Sequence, residues 1–232
     1  MEKPAIEGGK PVRKEFLPYA RQWIGNEEIE EVIDSLKSDW ITTGPKMKTF
    51  EEKFRKLIGS KYTVAVNSGT AALHISTSSL NVKPGDEVIT TPLTFVASAN
   101  CVIYRGGTPV FADIKKDTYN IDPHEIRKKI TPKTKAIIPV HFAGQPCDMD
   151  EIQEIAEEND LYIIEDAAHA LSAEYKDTKI GNISDLSVFS FHPVKNITTA
   201  EGGMVTTNND ELYEKLLMFR THGISKDAIK RF

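Results

Sequence analysis

The sequence predicts an α/β fold of three layers, with helices on both faces of a mainly parallel mixed sheet. Two observations carry that expectation. From Lys61 onward, short runs rich in β-branched residues alternate with helical runs, the pattern of strands joined by helical crossovers. The turns between them carry Pro, Gly, Asn and Asp, as at Pro84-Gly85-Asp86 and Asn208-Asn209-Asp210, without a repeat or a low-complexity linker.

The elements follow in order. Gly25-Asn26 opens a capped helix with acids in its first turn and Ile29, Val32, Ile33 and Leu36 on one face. A second amphipathic helix is expected near Met47 to Ile58. Strand and helix then alternate: Tyr62 to Val66 with Ala71 to Leu80, Glu87 to Thr91 with Thr94 to Tyr104, and Pro109 to Ala112 with Pro123 to Ile130. Ala136 to Val140 precedes a helix at Met149 to Glu158. Strands follow at Leu161 to Glu165, Ser187 to Phe191 and Gly203 to Thr206, then a helix at Glu211 to Phe219. Residues 1–232 read as one domain with an N-terminal helical arm over roughly the first 60 residues.

The 232 residues are 40% hydrophobic, enough for one large domain core. The 29 basic and 34 acidic residues give a net charge of -5 and are spread along the chain. No basic stripe exists to neutralise phosphates, so nucleic acid is not an expected partner. Cys101 and Cys147 stand alone, outside any metal-ligand spacing, so both read as structural and no metal is expected. The first residues lack a signal-peptide apolar core, and no later run reaches the roughly 18 apolar residues that a membrane span needs. A cytoplasmic protein without a membrane contact is the expectation.

In open α/β sheets, ligands sit beyond the carboxyl ends of strands, so chemistry is sought there. Asn67-Ser68-Gly69-Thr70-Ala71 follows a strand and opens a helix. Gly69, Thr70 and Ala71 can therefore aim backbone N–H groups and a hydroxyl at a phosphate, although a plain helix cap explains the same residues. Asp166 ends another strand run, where an acid can hold a cationic ring nitrogen or simply cap a helix. Ser190 to Lys195 leaves a further strand and brings a lysine to the same edge. A lysine in a partly dry pocket is a nucleophile toward carbonyls, whereas an isolated lysine is normally a solvated surface group. Phe95 can lay its ring on a flat ligand or belong to the core. Together, a phosphate cradle, a flat apolar face, an acid for a ring nitrogen and an amine for an aldehyde describe a pyridoxal phosphate site.

At TTGP (Thr42 to Pro45), NSGTAAL (Asn67 to Leu73), TPLTFVASAN (Thr91 to Asn100), PVFADI (Pro109 to Ile114), EDAAHA (Glu165 to Ala170) and SFHPVKNITTAEGG (Ser190 to Gly203), the chain resembles the DegT/DnrJ/StrS sugar aminotransferases. These have the large domain of fold type I pyridoxal phosphate-dependent transferases. The resemblance implies pyridoxal 5'-phosphate as cofactor and Lys195 as the Schiff-base lysine that afterwards shuttles a proton. It implies that Asp166 pairs with the ring nitrogen, that Gly69, Thr70 and Ser190 hold the phosphate, that Phe95 stacks on the ring, and that His169 lies near the ring or its O3'.

By the same resemblance, glutamate donates the amino group and a nucleotide-linked 4-keto-6-deoxy sugar accepts it, in a homodimer. The form HPVKNITTAEGG is closest to members that aminate sugar carbon 4, among them pseudaminic-acid and aminoarabinose pathway enzymes. The family's smaller C-terminal domain is absent from this chain, as is the phosphate-contacting loop that reaches the partner subunit's site. That departure leaves an alternative reading, a truncated or split large-domain module that binds cofactor or a partner chain without turnover by itself. The family's sugar dehydratases carry histidine where this chain has Lys195, which sets them aside. No G-x-G-x-x-G follows the first strand, which sets aside a nicotinamide enzyme.

Overall fold

The structure, a computed structural model, describes residues 3–18 and 20–224. Two helices, α1 (Asn26–Lys37) and α2 (Pro45–Ile58), precede a seven-stranded sheet. Its strands are β1 (Tyr62–Val66), β2 (Glu87–Thr90), β3 (Thr108–Phe111), β4 (Thr134–Ile138), β5 (Tyr162–Asp166), β8 (Leu186–Ser190) and β9 (Gly203–Thr207), in the spatial order β1-β9-β8-β5-β4-β2-β3. Neighbours from β8 through β5, β4 and β2 to β3 pair parallel, while β9 is antiparallel to both β8 and β1. Only β9 is therefore reversed, and the α/β expectation of a mainly parallel mixed sheet is met.

Alternation along the strands builds two cores, because successive side chains leave opposite faces of a sheet. Val88, Ile138, Ile164 and Val205 face α3 (Gly69–Ser79), α4 (Ala97–Ile103) and α7 (Asp210–Arg220), packing with Leu73, Val102 and Leu216. Their sequence neighbours Ile89, Ile137 and Ile163 point the other way, onto Ile126 of α5 (Pro123–Lys129) and Ile152 and Ile155 of α6 (Met149–Asn159). Each such side chain stabilises the fold by roughly 1.5–3 kcal/mol relative to exposure. A third cluster joins Phe54 and Ile58 of α2 to Phe189, Phe191 and Met204.

Three features differ from the sequence reading. The apolar face of α1 is present, but Ile29, Val32, Ile33 and Leu36 all remain exposed. Between β5 and β8 lies an unexpected hairpin of β6 (Glu174–Tyr175) and β7 (Thr178–Lys179). Its two turn residues, Lys176 and Asp177, both take positive φ without the Gly or Asn that normally announces such a turn. Helix α4 begins at Ala97, three residues after the expected Thr94. No helix among the described residues is long and apolar enough to cross a membrane.

The reversal of β9 matters for the site. Because β1 and β8 run alike, both end at one edge of the sheet, and the register sets Gly203, the first residue of β9, opposite both Val66 and Ser190. Asp166 ends β5 at this same edge.

Candidate active site

Helix α3 starts at this edge. Ser68 caps it, accepting a hydrogen bond from the Ala71 amide at 3.0 Å. Ala71 therefore has no free N–H to offer a ligand, which corrects the expectation that it joins the anion cradle. The Gly69 and Thr70 amides precede the first intrahelical bond, made by Ala72 to the Ser68 carbonyl, and have no acceptor within the helix. With the helix dipole behind them they favour an anion.

Close approach explains the glycines here. A Cβ on Gly69 would stand 2.9 Å from Ser190 Cβ, and one on Gly203 would stand 2.4 Å from the Ser68 carbonyl oxygen. Strand β9 thus lies directly against the helix start, and Ser190 faces it from the end of β8.

Asp166 is buried, and its carboxylate has two donors: Ser98 Oγ at 2.7 Å on Oδ2 and the Ala168 amide at 3.2 Å on Oδ1. No helix follows it, since residues 167–173 form turns, so the helix-cap alternative for this acid is not realised. Its backbone is bracketed by the Pro139 carbonyl and the His141 amide across the β4 end. The preceding Glu165 points away into a closed network. His141 Nε2 lies 2.9 Å from Oε2, and Ser187 Oγ and the Ser184 amide donate to Oε1. His141 Nδ1 accepts the Cys147 amide, which leaves Nε2 as the protonated nitrogen that faces the carboxylate.

Lys195 leaves β8 on a tight turn, its amide donating to the His192 carbonyl at 2.9 Å. Its ammonium lies 2.7 Å from His169 Nε2. Burial in the cavity pulls the Lys195 pKa below the usual lysine value, with the Asp166 charge opposing in part. His169 is likewise held below the usual histidine value, first by desolvation against the cavity wall and then by the Lys195 cation.

Gly69, Thr70, Phe95, Asp166, His169, Ser190 and Lys195 all line one cavity of about 540 Å³. Residues far apart in sequence thus converge as the strand-end argument expected. Phe95 is 72% exposed, which removes the core alternative and leaves its ring free at the cavity. Two neighbours were not singled out from sequence. His141 stands just beyond β4 at the same edge, a position the strand-end rule marks. Ser98 lies inside the first turns of α4, where nothing local signals its bond to an acid 68 residues away.

The residues suit pyridoxal phosphate on their own chemistry. Free amides and the Ser190 hydroxyl suit a phosphate, the buried carboxylate a cationic ring nitrogen, and the partly dehydrated amine an aldehyde.

Known proteins bear on this arrangement. The chain is 61% identical over 221 residues to the uncharacterized protein MJ1066 of Methanocaldococcus jannaschii, covering 95% of this chain and 57% of that one. Among solved structures it is similar to Spr1654 of Streptococcus pneumoniae, described as a sugar aminotransferase and solved in its PLP form. The TM-score is 0.87 at 39% identity over 91% of this chain and 59% of that one. It is also similar to Helicobacter pylori PseC, an aminotransferase involved in pseudoaminic acid biosynthesis, with TM-score 0.85 at 39% identity over 91% of this chain and 57% of that one. The chain therefore spans less than two thirds of the length of these proteins. A model of a pyridoxal phosphate-dependent family matches residues 22–232, and on that match the chain belongs to the DegT/DnrJ/EryC1/StrS aminotransferase family.

Proposed function

We propose that this chain is the cofactor-binding part of a nucleotide-sugar aminotransferase. In this reading it moves an amino group from glutamate to a nucleotide-linked 4-keto-6-deoxy sugar, as a cytoplasmic homodimer. The observation that carries the proposal is the convergence of Lys195, Asp166 and the start of α3 on one cavity. The similarity to two sugar aminotransferases and the form HPVKNITTAEGG support the sugar class.

Each side chain then has a task that follows from its surroundings. When bound, pyridoxal phosphate supplies an electron sink for the carbanion at the substrate carbon that bears the amine. Gly69, Thr70 and Ser190 hold the phosphate. Asp166 keeps the ring nitrogen protonated, since a buried carboxylate favours a cation beside it. Phe95 covers the ring face. Lys195, whose amine burial makes less basic, is the residue that would hold the aldehyde and would carry the proton at the substrate carbon. His169 accepts a hydrogen bond from that amine and orients it.

The test adds pyridoxal phosphate to the purified chain, reduces with borohydride and locates the label by peptide mass spectrometry. The loaded protein is then given ¹⁵N-glutamate and a nucleotide-linked 4-keto-6-deoxy sugar. Label on Lys195 and ¹⁵N in the sugar are expected. An unlabelled Lys195 sinks the cofactor role, and a labelled protein that leaves the sugar without ¹⁵N favours the module that binds cofactor without turnover by itself.

A further inference from the structure

We propose that Ser98 is a positioning residue for Asp166, oriented in turn by Thr94, so that a hydroxyl relay sets how the acid meets the cofactor's ring nitrogen. The inference rests on the cofactor reading above. Its geometry is a chain of two short contacts, Ser98 Oγ to Asp166 Oδ2 at 2.7 Å and Thr94 Oγ1 to Ser98 Oγ at 2.7 Å.

Counting hydrogens gives the relay a direction. An ionised carboxylate only accepts, so the single hydroxyl hydrogen of Ser98 points at Asp166. It is then not available to the Phe95 carbonyl 3.2 Å away. Nor can it lie between Ser98 and Thr94, so Thr94 is the donor in that pair. Both side chains are spent, and the order runs Thr94 to Ser98 to Asp166.

Burial makes the relay consequential. Ser98 is fully buried and Asp166 is 5% exposed, so the Ser98 donor lies on the side of the acid away from bulk water, and hydrogen bonds to charged groups count most where the surroundings are dry. One donor on each oxygen, Ser98 on Oδ2 and the Ala168 amide on Oδ1, fixes the plane of the carboxylate. Thr94 and Ser98 also flank Phe95 in the chain. The segment that presents the aromatic ring at the cavity is thereby tied to the acid on β5.

A role exercised through the ring nitrogen is separable from a general packing role. Equilibrium affinities of the wild type and Ser98→Ala are measured for pyridoxal phosphate and for an analogue in which C–H replaces the ring nitrogen. Thermal unfolding of the apo proteins is followed in parallel. We expect Ser98→Ala to weaken pyridoxal phosphate by about tenfold and the analogue by less than about twofold, the loss of one charged hydrogen bond felt only where the nitrogen is present. Thr94→Val, which keeps the Ser98 hydroxyl but leaves it undirected, is expected to show a smaller selective loss. Equal losses for both ligands, or none for either, overturn the relay while Lys195 labelling still stands. A wild type that takes no label on Lys195 overturns the cofactor reading and the relay with it.

Discussion

Lys195 Nζ sits 2.7 Å from His169 Nε2, although the two residues follow different strands, β8 and β5. With the Lys195 ammonium as donor, the contact uses an unprotonated Nε2, in keeping with the lowered pKa of His169. It gives the amine a fixed direction before any ligand arrives.

Lys195→Ala is expected to abolish borohydride-fixed label while shifting apo stability by no more than about 0.5 kcal/mol, since the side chain packs into no core cluster. Peptide mass spectrometry and urea unfolding of the same preparation check both halves.

The rate at which pyridoxal phosphate becomes attached should rise with pH, because the neutral amine is the reactive form. Burial lowers the Lys195 pKa, so the midpoint of that rise should fall below the ordinary value of 10.5. The Asp166 charge acts in the opposite sense. Asp166→Asn should therefore move the midpoint further down, and an upward move in stopped-flow absorbance would contradict the electrostatic account.

In turnover, Asp166→Asn should lower kcat by more than it weakens cofactor affinity, because the ring nitrogen's proton matters most as the carbanion develops. Equal losses would assign the acid to positioning alone.

Gly203→Ala should destabilise the chain by about 2 kcal/mol, since the new methyl meets backbone rather than a side chain that can swing away. The same push opens the α3 start, so phosphate-dependent affinity should fall with it. Chemical unfolding and cofactor titration give the two values.

His141→Leu should cost about 3 kcal/mol or more, because it leaves Oε2 of the buried Glu165 carboxylate and the Cys147 amide without partners together. Urea unfolding with an unchanged slope would assign the loss to the folded state.

Much of this was legible in sequence. The alternation of runs located the main strands and helices, and Asp166, Ser190 and Lys195 were placed at strand ends that the sheet does bring together. The illegible parts share one property. Whether the Ala71 amide is free depends on the rotamer of Ser68, and whether Ser98 matters depends on an acid 68 residues away. The Lys176-Asp177 turn carries no glycine or asparagine to mark it, and the exposure of α1 depends on what the rest of the chain sets beside it.

Local pattern thus determined the order and type of the elements, and with the strand-end rule it determined which lysine and which acid stand beyond strand ends, because periodicity and turn chemistry act over a few residues. Tertiary structure alone decided that β9 runs backwards, that its Gly203 closes on Ser68, and that Ser98 holds Asp166. Strand direction and side-chain partners are set by packing between distant segments, where burial and close approach select one arrangement from several that the same local pattern allows.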